Sequence, residues 1–347
     1  MSAERGMKRA TVHDVARQAG VSLATVDRVL NNRPGVRQGT IEKVEKAIAA
    51  IGFRRDLSAS LLARSRAIHI HFIMPVGANQ FMKGLAAAIA AQAEQAAAER
   101  LQISTHFVRA FDSAALAAEL EGLSPEACDC AIVVATDDAD ARAAVNAAAA
   151  RGIAVMTLVS DLPGTARRQF IGIDNRAAGR TAAGLMGRFC AGTGKIGLIA
   201  GSLDLADHRE RYEGFCEIAG AEFPHLQLIG PKEGFDEAEA TGAAVEALLA
   251  AHPDLKGLYS MGAGNAGLID ALKASGRAGD LRVIAHELTE STRVALKSGA
   301  MDVVIDQNPD GEIRAAIAAA RQIALGENAG FSGAPIEIGI FLRDNLR

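Results

Sequence analysis

In DVARQAGVSLATVDRVLN, residues 14–31, a carboxylate, Asp27, stands beside a guanidinium, Arg28, on a short helical pattern. An Arg fork matches guanine O6 and N7, whereas an acid near phosphates costs affinity unless it accepts from cytosine N4 or orients the guanidinium. A second group, Gly262-Ala-Gly264-Asn-Ala-Gly267, follows an apolar run and opens a helical pattern, with Glu287 some way on. That is the form of a dinucleotide fingerprint. It falls late in the chain, and no hydride-transfer residues accompany it, which counts against an oxidoreductase. Cys128, Cys130, Cys190 and Cys216 complete no Cys/His set, so they read as ordinary thiols and no metal or cofactor is expected. His13, His69 and His71 lack partners at ligand spacing, and Asp137-Asp138 before a helix reads as N-terminal charge.

These residues need elements to hold them. Thr11 with Asp14 forms a capping-box-like start, Val12, Val15, Ala16 and Ala19 give a helical stripe, and Gly20 ends it. Ser22 caps a second helix with Val26, Val29 and Leu30 inward, and a third runs from about Gln38 to Ile51. Three short helices with Gly in the first turn predict a helix-turn-helix unit. From Ile68 on, apolar runs of strand length alternate with Ala-rich helices, as in IHIHFIM, CAIVVA and IAVMTLV, then FIGI, KIGLIAG, LKGLYSM, LRVIAH and IEIGIF. Strict alternation predicts an α/β body of two parallel sheets flanked by helices, with FIGI opening the second series.

Charge supports the division. Residues 1–66 hold 13 Lys and Arg against 6 Asp and Glu, and the remainder 24 against 35, within a net charge of −4. A basic head on an acidic body suits a nucleic-acid-binding module joined to a sensor or enzyme. MSAERGMKRATV has no apolar core of a secretory signal, and no run of about 20 uncharged apolar residues appears, so a cytoplasmic location without a membrane span is expected.

TVHDVARQAGVSLATVDRVLN, a following helix and GFRRDLSASLLA resemble the head and hinge of LacI/GalR-type transcription regulators. The rest resembles their periplasmic-binding-protein-like sensor, nearest in texture to the ribose-binding type. The resemblance implies a head over 1–53, a hinge helix over 54–66 and a bilobed effector-binding and dimerisation body over 67–347. The first lobe would span about 67–168 plus 309–328, the second about 169–308 plus 329–347. It implies a homodimer on near-palindromic double-stranded operator DNA, with a hinge leucine wedged in the minor groove. The head's DNA face would comprise Thr11, Ser22, Leu23, Ala24, Thr25, Asp27, Arg28 and Asn31, with Arg28 the base reader. The hinge would add Arg54, Arg55, Ala59 and Leu62, although Phe53, Arg55 and Asp56 replace the family's Tyr, Pro and Asn.

In the body, the resemblance implies an effector site at strand ends. Asn79 and Phe81 come from Asn79-Gln-Phe81-Met, Asp161 from LVSDLPG, and Arg209 from the Arg-x-Arg-x-x-Gly-Phe segment. Glu287 stands for a usual Asp, Gln307 lies at the lobe crossover, and Ser260 replaces a usual Asn, for which Asn265 can substitute. Asn79 and Asp161 are equally placed to cap helices alone. Convergent amides, acids and an Arg suit a monosaccharide or polyol, with a nucleoside or small organic acid open. The expected function is a ligand-responsive repressor. An NAD-dependent enzyme with a DNA-binding head, or a purely architectural DNA binder, are the alternatives.

Overall fold

The structure is a computed structural model that describes residues 10–30, 35–51, 67–77, 79–326 and 336–346. Asn31 and the hinge residues Arg54, Arg55, Ala59 and Leu62 lie outside the described residues.

The head comprises α1 (Val12–Ala19), α2 (Leu23–Leu30) and α3 (Gln38–Ile51). The Thr11 hydroxyl accepts from the Asp14 N–H, and the Asp14 carboxylate accepts from the Thr11 N–H at 2.9 Å. This reciprocal cap satisfies two donors that the first turn otherwise leaves open. Gly20 ends α1 at φ 66, a left-handed turn that only glycine adopts without cost. It folds α2 back so that Val15, Ala16, Val26, Val44 and Ala47 close one core. Burying Val26 alone contributes about 1.5–3 kcal/mol.

The body alternates strand and helix. Its first sheet has the order β2-β1-β3-β4-β5, from β1 (Ile68–Val76), β2 (Leu101–Arg109), β3 (Cys130–Val133), β4 (Ala154–Leu158) and β5 (Gln169–Ile171). Helices α4 (Gln80–Ala96), α5 (Ser113–Gly122) and α6 (Ala139–Ala150) connect the early strands. The second sheet, β11-β10-β9-β8-β6-β7, uses β6 (Gly194–Ala200), β7 (Leu226–Glu233), β8 (Leu255–Ser260), β9 (Arg282–His286), β10 (Val303–Asp306) and β11 (Gly339–Phe341). Its helices are α7 (Asn175–Phe189), α8 (Ala206–Glu222), α9 (Ala238–Ala251), α10 (Asn265–Ala274) and α11 (Glu290–Ser298), and α12 (Pro309–Ala324) follows β10.

Period-two alternation splits the second lobe into two cores. Ile196, Leu198 and Tyr259 join Met186 of α7 and Phe215 of α8 on one face. Ile199, Leu258 and Val283 join Val245, Leu272 and Leu296 on the other. On the first face, α7 and α8 cross at near backbone contact, because a Cβ on Gly179 would strike the Arg211 carbonyl.

Two expectations are corrected. FIGI belongs to the first sheet: β5 pairs with β4, Leu158 opposite Ile171, so that sheet continues past residue 168. The loop between them contains no helix and is pinned by Asp161, which returns the chain to the free edge of β4. The second sheet is not wholly parallel, since β11 adds antiparallel to β10 at its edge. Among the described residues no helix is long and apolar enough to cross a membrane.

Candidate functional site

Five loops leave the C-terminal ends of strands through left-handed backbone at non-glycine residues. Phe111, Val159, Asp236, Glu287 and Asn308 have φ of 59, 66, 57, 73 and 58° after β2, β4, β7, β9 and β10. Such conformations cost about 1–3 kcal/mol each and gather where ligands are held. Phe111, Val159, Asp236 and Glu287 line a cleft between the two lobes, divided into cavities of 230, 120 and 20 Å³, and Asn308 follows the lining Gln307. All three touch Asn79 and Asp236. The Asn79 amide of the first lobe donates to the Asp236 carboxylate of the second at 3.4 Å, and this contact partitions the space. Joined, the cavities fall near the lower end of the roughly 300–1,000 Å³ usual for small-molecule sites.

The expected residues divide. Asn79, Phe81, Asn265, Glu287 and Gln307 line these cavities. Asn79 also caps α4, accepting from the Phe81 N–H at 2.9 Å, so both readings of it hold together. Phe81 is buried against the cleft. Asn265 donates to the His286 carbonyl at 2.9 Å, which turns its oxygen the other way without a partner. Gln307 donates to Glu287 at 2.7 Å, leaving its own oxygen unpartnered.

Three lie elsewhere. Asp161 accepts from Thr157 and the Leu162 N–H, both at 2.7 Å, and pairs with Arg167 at 2.5 Å, which holds the loop. Its neighbour Ser160 lines the cleft instead. Ser260 is buried at the end of β8 and touches none of the three cavities. Arg209 is not among the lining residues: it pairs with Asp137 of the first lobe at 2.6 Å and donates to the Leu203 carbonyl at 3.0 Å. Residues two apart on a helix point about 200° from each other, so Arg211 turns inward where Arg209 turns out. Arg211 is fully buried, donating to the Met261 carbonyl at 2.7 Å and to Asn175 at 2.9 Å. Asp207 and Glu287 stand 3.7 and 3.8 Å from it.

Sequence reading missed Asp207, His208, Arg211 and Asp236. The available signal was Asp207-His208 at the start of α8, two polar side chains on a turn that packs inward. His208 lies 3.6 Å from Asp207 and 4.0 Å from Asp236. Burial pushes the Glu287 carboxyl up to about 8, with Arg211 opposing it. Burial raises Glu312 of α12 well above the ordinary carboxylate range, with Glu287 adding to it.

The glycine-rich loop serves this cluster. A Cβ at Gly262 would sit 2.5 Å from an Asp236 oxygen and 2.9 Å from the His208 ring, while one at Gly267 would strike the Ala238 carbonyl of α9. A phosphate approaching here would meet a carboxylate, and the glycines permit packing instead.

In the head, α2 buries Val26 and exposes Leu23, Ala24, Asp27 and Arg28 on one face. Ser22 caps it, accepting from the Thr25 N–H at 3.2 Å, with the two hydroxyls 2.9 Å apart. Thr11 donates to Asp14 at 2.7 Å and Arg17 pairs with Asp14 at 3.3 Å. Thr11 and Ser22 therefore shape the helix starts, and the α2 face with Leu23, Ala24, Asp27 and Arg28 is exposed.

The class that the fold and site define is a helix-turn-helix head carried by a two-lobed α/β body with a strand-end cleft. The lacI family of bacterial regulatory proteins matches residues 11–56, and the periplasmic binding protein domain matches residues 70–328. The chain belongs to this periplasmic binding protein domain family and carries a lacI-family head. The D-ribose/D-allose-binding protein of Pseudomonas aeruginosa is 29% identical over 142 residues, 40% of this chain and 43% of that protein. Catabolite control protein A of Priestia megaterium is 40% identical over 79 residues, 23% of this chain and 24% of that one. The HTH-type transcriptional regulator GalS of Salmonella typhimurium is 39% identical over 85 residues, 24% of this chain and 25% of that one. The chain thus matches less than half the length of these curated relatives. Among solved structures, the glucose-galactose binding protein GanP of Geobacillus stearothermophilus aligns with TM-score 0.74 at 18% identity, over 81% of this chain and 99% of that one. A Burkholderia graminis solute-binding protein in complex with D-arabinose aligns with TM-score 0.73 at 23% identity, over 81% and 97%. These likenesses establish the fold.

Proposed function

We propose that this chain is a ligand-responsive, DNA-binding transcription regulator, a repressor, working as a cytoplasmic homodimer on double-stranded operator DNA. Its effector is a small polyhydroxylated compound of the monosaccharide or polyol class. The observation that carries this is a lacI-family head on a body whose second lobe turns buried, unpartnered polar atoms into the cleft between the lobes. The division into a head over 1–53, a hinge over 54–66 and a body over 67–347 belongs to this reading, with β5 assigned to the first lobe. Arg28 reads a base from the exposed face of α2, and the hinge leucine Leu62 wedges the minor groove.

Carboxylates dominate the cleft, which favours ligands rich in donors and disfavours a small organic acid. Any ligand that prefers one arrangement of the lobes shifts their equilibrium, and the DNA response follows. The packing of Gly262 against Asp236 argues against the enzyme alternative. The test is selection of binding sites from random DNA, followed by gel shifts of the selected operator with a sugar and polyol panel. A selected near-palindrome released by one compound is the expected result. Absence of any selected motif would overturn the regulator reading.

A further inference from the structure

The innermost cavity, at 20 Å³, has room for one water-sized group. Among its lining residues, three buried polar side-chain atoms lack a hydrogen-bond partner: Asp207 Oδ1, Glu287 Oε2 and Gln307 Oε1. Asp207 and Gln307 present acceptors, and Glu287 presents a third once it gives up its proton. The Gln307 orientation is set by its donation to Glu287, and the other oxygens of Asp207 and Glu287 face Arg211 at 3.7 and 3.8 Å. Arg211 commits Nε to Asn175 and Nη1 to the Met261 carbonyl, and its Nη2, without a hydrogen-bond partner, stands 3.7 Å from the Asp207 oxygen that faces it. These three residues are each more than nine-tenths buried, so water does not freely satisfy them.

A ligand hydroxyl brings one hydrogen and two lone pairs, so it would answer one acceptor and add unmet lone pairs of its own. A primary ammonium brings three hydrogens and no lone pair. Charge points the same way, since Asp207, Asp236 and Glu287 surround the cavity while Arg211 is the buried guanidinium beside them. Resting on the effector reading above, we propose that the ligand is an aminated sugar or polyol whose protonated primary amine occupies this inner cavity, held by Asp207, Glu287 and Gln307. Without a cation there, burial keeps a proton on Glu287. The ammonium takes that proton's place, so binding releases one proton.

Isothermal titration of the full-length protein uses matched pairs: D-glucosamine with D-glucose, D-galactosamine with D-galactose, and 1-amino-1-deoxy-D-glucitol with D-glucitol. The expected result is that the amine member of at least one pair binds at least about tenfold tighter at neutral pH, a difference of about 1.4 kcal/mol. Its heat should vary with buffer ionisation enthalpy as one proton is released. Asp207→Asn should bring that pair to near equality in a protein with the parental circular dichroism spectrum. If that variant does not fold, the parent's preference should instead vanish above the amine's own pKa. A hydroxyl member that binds as tightly as its amine overturns the proposal while the effector reading stands. A melting temperature raised by sodium or potassium chloride, with no amine binding, assigns the cavity to an inorganic cation and also overturns it. Binding by no member of either series removes both readings.

Discussion

Arg209 and Arg211 show how much one residue's direction decides. Both belong to the same Arg-x-Arg segment, yet one meets Asp137 at the lobe boundary and the other is enclosed with Asp207 and Glu287. Glu287 carries a consequence for pH. Its folded carboxyl is raised from 4.5 to about 8, while the unfolded chain keeps the ordinary value. Between those values the folded state binds more protons, so this group's contribution to stability is lost as pH rises through the window. Glu312 is shifted in the same direction. Glu287→Gln should therefore unfold at higher denaturant than the parent at about pH 9, with the gap closing by about pH 5. A gap that widens on acidification would contradict the burial argument. On α2, Arg28→Ala should remove preference at one position of each half-site, costing about 1–3 kcal/mol there and leaving salt-sensitive binding. Site selection by the variant checks this. The companion change Asp27→Ser should alter the preferred base if the acid reads or orients, and only tighten binding overall if it merely repels.

The α7–α8 crossing sets where Arg211 lies. Gly179 lets α7 approach the Arg211 carbonyl and Gly214 lets α8 approach that of Arg176. A methyl at either must push backbone, not a flexible tip. Gly179→Ala should destabilise by about 1–3 kcal/mol, as overpacking does. Gly220, in the same helix as Arg211, has open space around it. Gly220→Ala should stabilise by up to about 1 kcal/mol through helix propensity. Thermal melts of the two variants side by side read the contrast, and equal effects would rule out the close crossing.

Across the whole body, the lobes are tied by polar contacts at the cleft. The Asp137 N–H donates to the Asp204 carbonyl at 2.8 Å, the Ala206 N–H donates to Ser160 at 3.0 Å, and Arg209 pairs with Asp137 at 2.6 Å. Arg209→Ala removes one tie without touching the inner acids. It should enlarge the radius of gyration of the ligand-free body in X-ray scattering and weaken the response to effector, while operator affinity stays near parental. An unchanged radius together with an unchanged effector response would mean that this pair does not govern closure.

Much of this molecule was legible in residue order. Capping at Thr11 and Ser22, the turn at Gly20 and the period of Val15, Val26 and Val44 are local signals, and they specify the head. The alternation of apolar runs and Ala-rich helices specifies two α/β lobes for the same reason: backbone propensity and side-chain period act over a few residues. The resemblance to ribose-binding-type sensors brought out Asn79, Phe81, Asn265, Glu287 and Gln307, at the strand ends where such sheets bind. What lay beyond reach depends on packing between distant segments. FIGI joined the first sheet because β4 offered its free edge, a fact of pairing that its own four residues do not encode. Arg211 rather than Arg209 turned inward because the rotation of α8 is set by its glycine contact with α7. Asp207, His208 and Asp236 form one acid-rich site with Glu287 only after two loops and a helix start converge. Tertiary structure alone decides that convergence, because burial and proximity are properties of the packed chain and not of any stretch of it.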